Sequence, residues 1–570
     1  MRFLRECPWD RLAQLREAVP DIPFQMLLRG ANAVGYKSYP DNAVFEFCDM
    51  AQKTGMDVFR IFDSLNYVEN MKLGIDAVGS AGGIVEASIS YTGDVSDPNK
   101  GLYNLEYYLK LTDELKALGI HVLNIKDMAG LLKPQAATML VGAIRQAHPD
   151  LPIHVHTHDT AGTGVASMLA CSAAGADAVD AATDAMSGVT SQPSMGAIVA
   201  SLQGTDRDTN IDLEHLSKIN NYWEVTRGIY APFESGQMSG SSDVYNNEIP
   251  GGQYTNMLYQ SKQLGLENEW PAVKTAYASA NRLLGDIPKV TPSSKVVGDM
   301  AQFMVANGLS EEDVVAQADT LSFPTSVVEY FQGYLGVPPH GFPEPLRSDI
   351  LKNRVIDGTD LKQFSGRPGA ELPPFDFAAA RASLEGKWGP DQIRDCDVMS
   401  HCMYPDVFDD FMTRQRDFGK VDMLDTRTFV QGMTVGGEEI ELRLEKGKTL
   451  NLKCKHVGEP DEEGIVAVNF EMNGASRRVR VKDTNATSTA VTRPKVNESV
   501  IGQIGASMQG LIVETRVKKG DVVKAGDPLV VLSAMKMETL ISAPVSGTVV
   551  KLEVIAGDNV KQGDLIVEIE

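Results

Sequence analysis

A chain of 570 residues is too long for one hydrophobic core, so roughly three to four domains are expected. With 43% hydrophobic and 23% charged residues it has the composition of ordinary globular material. Its formal net charge of -23 argues against nucleic acid or anionic membrane as a partner, since both demand clustered Lys and Arg; a small-molecule enzyme fits better.

The first 190 residues repeat one rhythm, a short apolar run followed by a stretch with helical spacing. The expected strands are "QMLLRG" (25 to 30), "DVFRIFD" (57 to 63), "VEASISYT" (85 to 92), "HVLNIKD" (121 to 127), "PIHVHTHD" (152 to 159) and "DAVDAATD" (177 to 184). Their starts lie 25 to 36 residues apart, the length of a βα unit, so the sheet is parallel. Arg29, Asp63, Lys126, His158 and Asp184 stand at the ends of different strands, which favours a closed (β/α)8 barrel, where all strand ends face one site, over a doubly wound sheet.

Residues 245 to 390 read as a helical region with Pro-rich connections, including a capping-box pattern at Ser310 and Asp313. From about 426 to 481 the period becomes two, with a hairpin turning at Asn473-Gly474. Residues 482 to 499 have the composition of a flexible linker. The last 70 residues hold an internal repeat: the segment from Ala506 matches the segment from Ala543 at an offset of 37, pairing Gly510 with Gly547, Gly520 with Gly557 and Gly526 with Gly563. Glycines at equal spacings in alternating strands mark equivalent turns, so a pseudo-twofold flattened barrel is expected, with Lys536 of "AMKM" in the turn joining its halves. A surface lysine is the plain reading of Lys536. A lysine displayed for covalent modification inside a methionine collar is the other.

Three of the nine histidines, His154, His156 and His158, lie within one strand-like segment. A period of two places all three on one face, and the pattern does not say which pair would ligate a divalent metal. Imidazole with hard oxygen ligands suits zinc or manganese. Lys126 at a strand end is either paired with Asp127 or chemically modified as its neutral amine. No CxxC pair occurs among Cys7, Cys48, Cys171, Cys396, Cys402 and Cys454, so a reducing compartment is inferred. No apolar run has the length of a membrane span, the N-terminus is not built like a signal peptide, and the sequons at Asn485 and Asn497 read as chance. "GKT" at 447 to 449 lacks the upstream glycine of a P-loop, and "GTGVAS" at 162 to 167 is only a partial dinucleotide fingerprint, so ATP binding is not expected.

"AMKM" at the join of such a repeat resembles the attachment site of biotin carboxyl carrier domains, although the first half opens with "ASMQG" where those domains usually have "APMPG". "LLRGANAVGY", "FRIFDSLN", "VEASISYTGD", "IKDMAGLLKP", "HTHDTAG", "SQPSMG", "PGGQYTN" and "KVTPSSK" together resemble the carboxyltransferase part of the pyruvate carboxylase family over nearly the whole chain. The resemblance implies a TIM-type (β/α)8 barrel lacking its first strand, then a helical region, a small β-rich module and a C-terminal all-β biotinyl/lipoyl-type flattened barrel. It divides the chain into a carboxyltransferase barrel (1–245), its helical C-terminal part (246–390), a middle module of the tetramerisation or allosteric type (391–481), a linker (482–499) and a biotin carboxyl carrier domain (500–570).

The implied reaction moves a carboxyl group from carboxybiotin to pyruvate to give oxaloacetate, as in gluconeogenesis and anaplerosis. Carried over by position, Lys126 as its carbamate, His156 and His158 would hold the metal. Arg29 would bind pyruvate, Thr291 relay a proton, Tyr36, Ser294 and Lys295 line the biotin pocket, and Lys536 carry covalent biotin. Biotin protein ligase, a biotin carboxylase region not present in this chain and, in the full-length form, a homotetramer are the implied partners, in the cytoplasm or the mitochondrial matrix. The family's first strand, a "DTTxRDAHQS"-like segment with an aspartate ligand, has no counterpart in the first 23 residues. The chain is therefore expected to be a fragment with a weakened metal site and open sheet edges. Two other readings stand beside this one: an oxaloacetate decarboxylase or transcarboxylase subunit running the reverse half-reaction, and a non-catalytic carrier or scaffold.

Overall fold

A computed structural model describes residues 1–99, 101–263, 267–352, 355–356, 359–360, 363–445, 447–461, 464–483, 494–496, 502–534 and 537–570. The chain forms two compact units, Met1–Val430 and Gln431–Glu570. In the first, β1 (Gln25–Leu28), β2 (Val58–Ile61), β3 (Ile84–Ser90), β4 (Val122–Asp127), β5 (Ile153–Thr157) and β6 (Ala178–Val179) make one sheet in chain order. Every pairing is parallel. Helices Asp41–Thr54, Val68–Ala81, Leu105–Ala117, Pro134–Ala147 and Gly164–Ala174 alternate with the strands, the βα order of a TIM-type barrel. The last strand is shorter than expected. After Val179 the chain leaves the ladder, Ala182 makes only an isolated parallel bridge to Ser194, and Asp184 opens a 3-10 turn. Asp184 is held there as an acceptor for Ser194 Oγ at 2.7 Å, Gly196 N at 2.7 Å and Asn220 Nδ2 at 2.6 Å.

A second core gathers Tyr277, Val297, Met300, Phe331 and Ile350 from helices between residues 251 and 351, and Leu65 from the loop after β2 joins it. The capping box at Ser310 and Asp313 is present. A two-strand ribbon, β7 (Val355–Ile356) with β8 (Thr359–Asp360), follows. Helices Asp395–Met403 and Pro405–Phe418 return to the barrel core, where Met399, Met403 and Phe411 join the cluster that holds Trp9.

The second unit begins its pairing later than the period-two reading from 426 expects. Thr426–Gln431 is a short helix because Asp425 caps it, accepting from Thr428 N at 3.0 Å. Strands β9 (Ile440–Glu445), β10 (Lys448–Val457), β11 (Ile465–Met472) and β12 (Ala475–Lys482) then form an antiparallel sheet. Asn473 and Gly474 turn its last hairpin with φ of 48 and 77 degrees, the left-handed pair of a type I′ turn. Of the linker at 482 to 499, only 482–483 and 494–496 are among the described residues.

The repeat folds as expected, into two four-stranded sheets. One has the order β13 (Gln503–Gly505), β20 (Leu565–Ile569), β18 (Gly547–Leu552), β15 (Val522–Val523); the other runs β17 (Met537–Ser542), β16 (Pro528–Ala534), β14 (Gly510–Thr515), β19 (Asn559–Val560). Each strand of one sheet has its repeat-mate at the same place in the other, so each sheet mixes strands of both halves. The paired glycines serve two purposes. Gly520, Gly526, Gly557 and Gly563 have φ between 78 and 98 degrees, and the aspartate after each accepts a backbone N–H three residues upstream at 2.7 to 2.8 Å. Gly510 and Gly547 instead allow close strand approach: an added Cβ would meet Ser533 O at 2.6 Å and Glu570 O at 2.5 Å. Gly547→Ala is therefore expected to destabilise this module by about 1–3 kcal/mol, read as a lowered melting temperature.

Candidate active site

Alternation along β4 and β5 sends Leu123, Ile125, Ile153 and Val155 into the core shared with the outer helices. It turns Asn124, Lys126, His154 and His156 to the opposite face. Parallel pairing sets Ser90 beside Lys126 and Lys126 beside His156, so one polar row crosses the C-terminal ends of three strands. That is the end at which barrels of this kind place their chemistry.

Arg60, Glu86, His154 and Asp180 form a closed charge network at the same barrel. Glu86 accepts from Arg60 Nε and from His154 Nδ1 at 3.1 Å; Asp180 accepts from Arg60 Nη1 and from His154 Nε2 at 2.7 Å. Burial pulls the His154 imidazole toward neutrality, but the hydrogen bonds and charges of Asp180 and Glu86 prevail and lift its pKa to about 9. Two cations thus face two anions, and the quartet, with Arg60 and Glu86 buried and His154 and Asp180 partly so, is neutral overall. His154 is committed to it.

Asp180 also reaches the next histidine. Its Oδ2 accepts from His156 Nδ1 at 2.7 Å, while His158 Nδ1 donates to Thr190 O at 2.6 Å. Both protons therefore sit on Nδ1, leaving two Nε2 lone pairs that face each other at 3.4 Å with the rings at 82 degrees. Two acceptors cannot hydrogen-bond to one another; a cation between them satisfies both. Burial drives the His156 pKa down to about 4, and burial together with His156 drives that of His158 to about 3, so both rings are neutral and ready to ligate near pH 7. The donor set fits a divalent metal.

Lys126 is buried, with Nζ against Met128 Sδ and 4.8 Å from the Phe62 ring centre. Asp127, the partner considered for it, is occupied by its own loop: its carboxylate accepts from Leu131 N at 2.9 Å, Leu132 N at 2.8 Å and Thr157 Oγ1 at 2.7 Å. Asp63 does the same after β2, accepting from Leu65 N and Tyr67 N at 2.8 Å. Among the described residues no carboxylate pairs with Lys126. Burial, aided by the charges of Arg60 and Arg29, lowers its pKa to about 7, so much of the amine is neutral at physiological pH.

Arg29 follows β1 and lies 5.1 Å over the Tyr36 ring and 5.9 Å from that of Phe62, the ring that Lys126 also approaches. Its Nη1 donates to Val34 O at 2.9 Å, and among the described residues its buried Nε has no partner. Thr291, Ser294 and Lys295 lie at the start of the helix Ser293–Asn307, where Ser293 Oγ donates to Pro288 O at 2.6 Å and lies 3.2 Å from Ser64 O in the loop after β2. Thr291 is half-buried, Ser294 is buried with an unpartnered Oγ among the described residues, and Lys295 is paired with Asp299. Tyr36 is 58% exposed, and next to it in sequence Lys37 joins Tyr39, Tyr334, Phe364 and Leu372 around a cleft of about 560 Å³. Lys536 lies outside the described residues; Ala534 and Met537, which flank it, are paired across β16 and β17. Sequence reasoning passed over Arg60, Phe62, Glu86, Asp180 and Thr190. Charged residues within otherwise apolar strands, Arg60 and Glu86, were the available signal.

Comparison with known proteins agrees along the chain. Residues 48–222 match the HMGL-like family model, residues 244–453 a conserved carboxylase domain and residues 498–569 the biotin-requiring enzyme domain. The carboxyl transferase domain from Rhizobium etli pyruvate carboxylase, solved with pyruvate, aligns with a TM-score of 0.80 at 48% identity, over 85% of this chain and 79% of that one. The chain belongs to the pyruvate carboxylase family. The complete multifunctional pyruvate carboxylase from Rhizobium etli aligns over 100% of this chain and 51% of its own, with a TM-score of 0.79 at 46% identity. Mitochondrial pyruvate carboxylase of Mus musculus is 55% identical over 100% of this chain, and pyruvate carboxylase of Aspergillus terreus 53% over 95%. The chain spans about half the length of these curated relatives, 48% and 45%. The cofactor of this family's C-terminal domain is covalent biotin.

Proposed function

We propose that this chain performs the carboxyl-transfer half of a biotin-dependent pyruvate carboxylase, moving a carboxyl group from carboxybiotin to pyruvate to give oxaloacetate. The observation that carries the reading is the facing pair of unprotonated Nε2 atoms of His156 and His158, with Lys126 beside them, in a chain that ends in a biotin-type domain. His156, His158 and Lys126 as its carbamate would hold a divalent cation, zinc or manganese, which supplies Lewis-acid stabilisation for an enolate oxygen. The neutral Lys126 amine adds to carbon dioxide and loses a proton, turning a buried neutral amine into an anionic oxygen ligand that complements the two imidazoles.

Arg29 binds the pyruvate carboxylate through its planar fork, using the unpartnered Nε. Thr291 Oγ1 would relay a proton, accepting it at the pyruvate methyl carbon and donating its own toward bound biotin. Tyr36, Ser294 and Lys295 line the pocket that excludes water from the ring, and Lys536 is its point of attachment. Tethering makes each visit effectively intramolecular. In this reading residues 1–245 and 246–390 make the carboxyltransferase, 391–481 the middle module, 482–499 the tether and 500–570 the carrier. A biotin protein ligase, a biotin carboxylase region and a homotetramer are the partners. The compartment is the cytoplasm or the mitochondrial matrix; no helix among the described residues is long and apolar enough to cross a membrane.

Carbon-label exchange between pyruvate and oxaloacetate, without ATP, tests the proposal. The biotinylated chain is expected to support exchange and Lys536→Ala to lose it together with avidin binding. Avidin binding that survives Lys536→Ala, or a biotinylated, metal-loaded chain without exchange, contradicts it.

A further inference from the structure

Away from the barrel mouth, the N-terminal segment meets the helix Asp395–Met403 through a pair of thiols. Cys7 is the N-cap residue of the helix Pro8–Ala18, and Cys396 lies in the first turn of the helix Asp395–Met403. Cys7 Sγ, Cys396 Sγ and an Asp397 carboxylate oxygen all lie within 4.8 Å of one another. Arg394 Nη2 donates to Cys7 Sγ at 3.4 Å, and the same guanidinium binds Asp10 at 2.6 Å and Asp397 at 3.0 Å. Trp9 Nε1 donates to Ser400 Oγ at 3.0 Å and completes the contact between the two helices.

We propose that Cys7 and Cys396 are a peroxide-reactive thiol pair that closes to a disulfide and ties the N-terminal helix to the helix Asp395–Met403. Hydrogen bonding from Cys396 is the main influence on Cys7, whose pKa falls to about 7 against the opposing effect of burial; backbone N–H groups of Asp10 and Trp9 add to it. Cys396 is pushed up by that same hydrogen bond and by burial, and keeps its proton. The Arg394 guanidinium against Cys7 Sγ marks that sulfur as the nucleophile and leaves Cys396 as the resolving thiol. The Cys7 thiolate attacks a hydroperoxide: an S–O bond forms, the O–O bond breaks, and with hydrogen peroxide hydroxide leaves. Cys396 then attacks the Cys7 sulfenic acid; the S–S bond forms, the S–O bond breaks, and the departing hydroxide takes the Cys396 proton as water. The two sulfurs together lose two electrons, and the peroxide gains them.

The same three groups would suit a soft divalent cation by ligand type. The Arg394 guanidinium argues for thiol chemistry instead, because it already occupies Asp397 and sets a positive charge against the Cys7 sulfur. Neither thiol belongs to the proposed carboxyl-transfer site, so the test is independent of that reading.

The full chain is treated with dilute hydrogen peroxide, alkylated while unfolded and mapped by mass spectrometry. The expected result is the loss of two titratable thiols, a Cys7–Cys396 linked peptide that disappears on reduction, and Cys48, Cys171 and Cys402 recovered as free thiols. In Cys396→Ser, Cys7 is expected to stop at the sulfenic acid and take up dimedone. Recovery of both Cys7 and Cys396 as free thiols, or conversion of Cys7 to sulfinic acid without a link, overturns the proposal. So does stoichiometric zinc in the untreated chain that protects both thiols from peroxide.

Discussion

Replacing Arg29 by alanine is expected to lower kcat/KM for pyruvate in the exchange reaction by roughly a hundred- to several-thousand-fold, with little change in melting temperature. A fork-like, charge-assisted contact to a carboxylate in a partly buried site is worth about 3–5 kcal/mol, because removing one partner leaves the other charge desolvated and unpaired. Among the described residues Arg29 makes one protein hydrogen bond through its guanidinium, to Val34 O, and its Nε, unpartnered among them, is available to a ligand. Its removal therefore takes away little internal structure. Arg29→Lys should recover only a small part of the loss, since an ammonium is a point charge without the planar fork. Exchange kinetics alongside thermal melts check this, and an unchanged KM and kcat in Arg29→Ala would place the substrate carboxylate elsewhere.

Lys126→Ala is expected to reduce bound metal and to lower exchange by roughly a thousand-fold or more. The proposed carbamate has a distinctive pH signature. Carbon dioxide adds only to the neutral amine, and an ordinary lysine is almost wholly protonated at pH 7. Burial, with Arg60 and Arg29 nearby, holds Lys126 at about 7, so the neutral fraction grows as pH rises through that value. Carbamate occupancy should therefore increase between about pH 6 and about pH 8. His156 and His158, at about 4 and about 3, stay neutral over that range and add no slope. Carbon NMR with labelled bicarbonate should reveal a carbamate signal that follows this rise and is missing from Lys126→Ala.

The sequence made the frame legible where chemistry and period coincide. β1 to β5 stand in their expected runs because apolar alternation and the βα spacing both point to them. β6 shrinks because "DAVDAATD" spends its aspartates on side-chain contacts, Asp180 on two histidines and an arginine and Asp184 on the loop at Ser194. The histidine cluster was visible, but the division of labour within it was not. His154 differs from His156 and His158 through Arg60 and Glu86, and the two ligating rings are oriented by Asp180 and Thr190, residues brought close by the barrel and not by sequence order. The carrier repeat was the most readable part, since each conserved spacing within it is a turn or a close approach that only glycine tolerates. The Cys7 and Cys396 pair lay beyond any spacing rule, because only the docking of two helices distant in the chain brings the sulfurs together.

The chain is proposed to transfer a carboxyl group between an α-keto acid and its own biotin without help from ATP. Incubating the biotinylated, metal-loaded chain with oxaloacetate, quenching in cold alkali and measuring its intact mass puts the claim to a direct test. The chain is expected to gain the mass of one carboxyl group, and neither Lys536→Ala nor biotinylated Arg29→Ala is expected to do so. A biotinylated wild-type chain that gains nothing, or a gain that persists in Lys536→Ala, would contradict it.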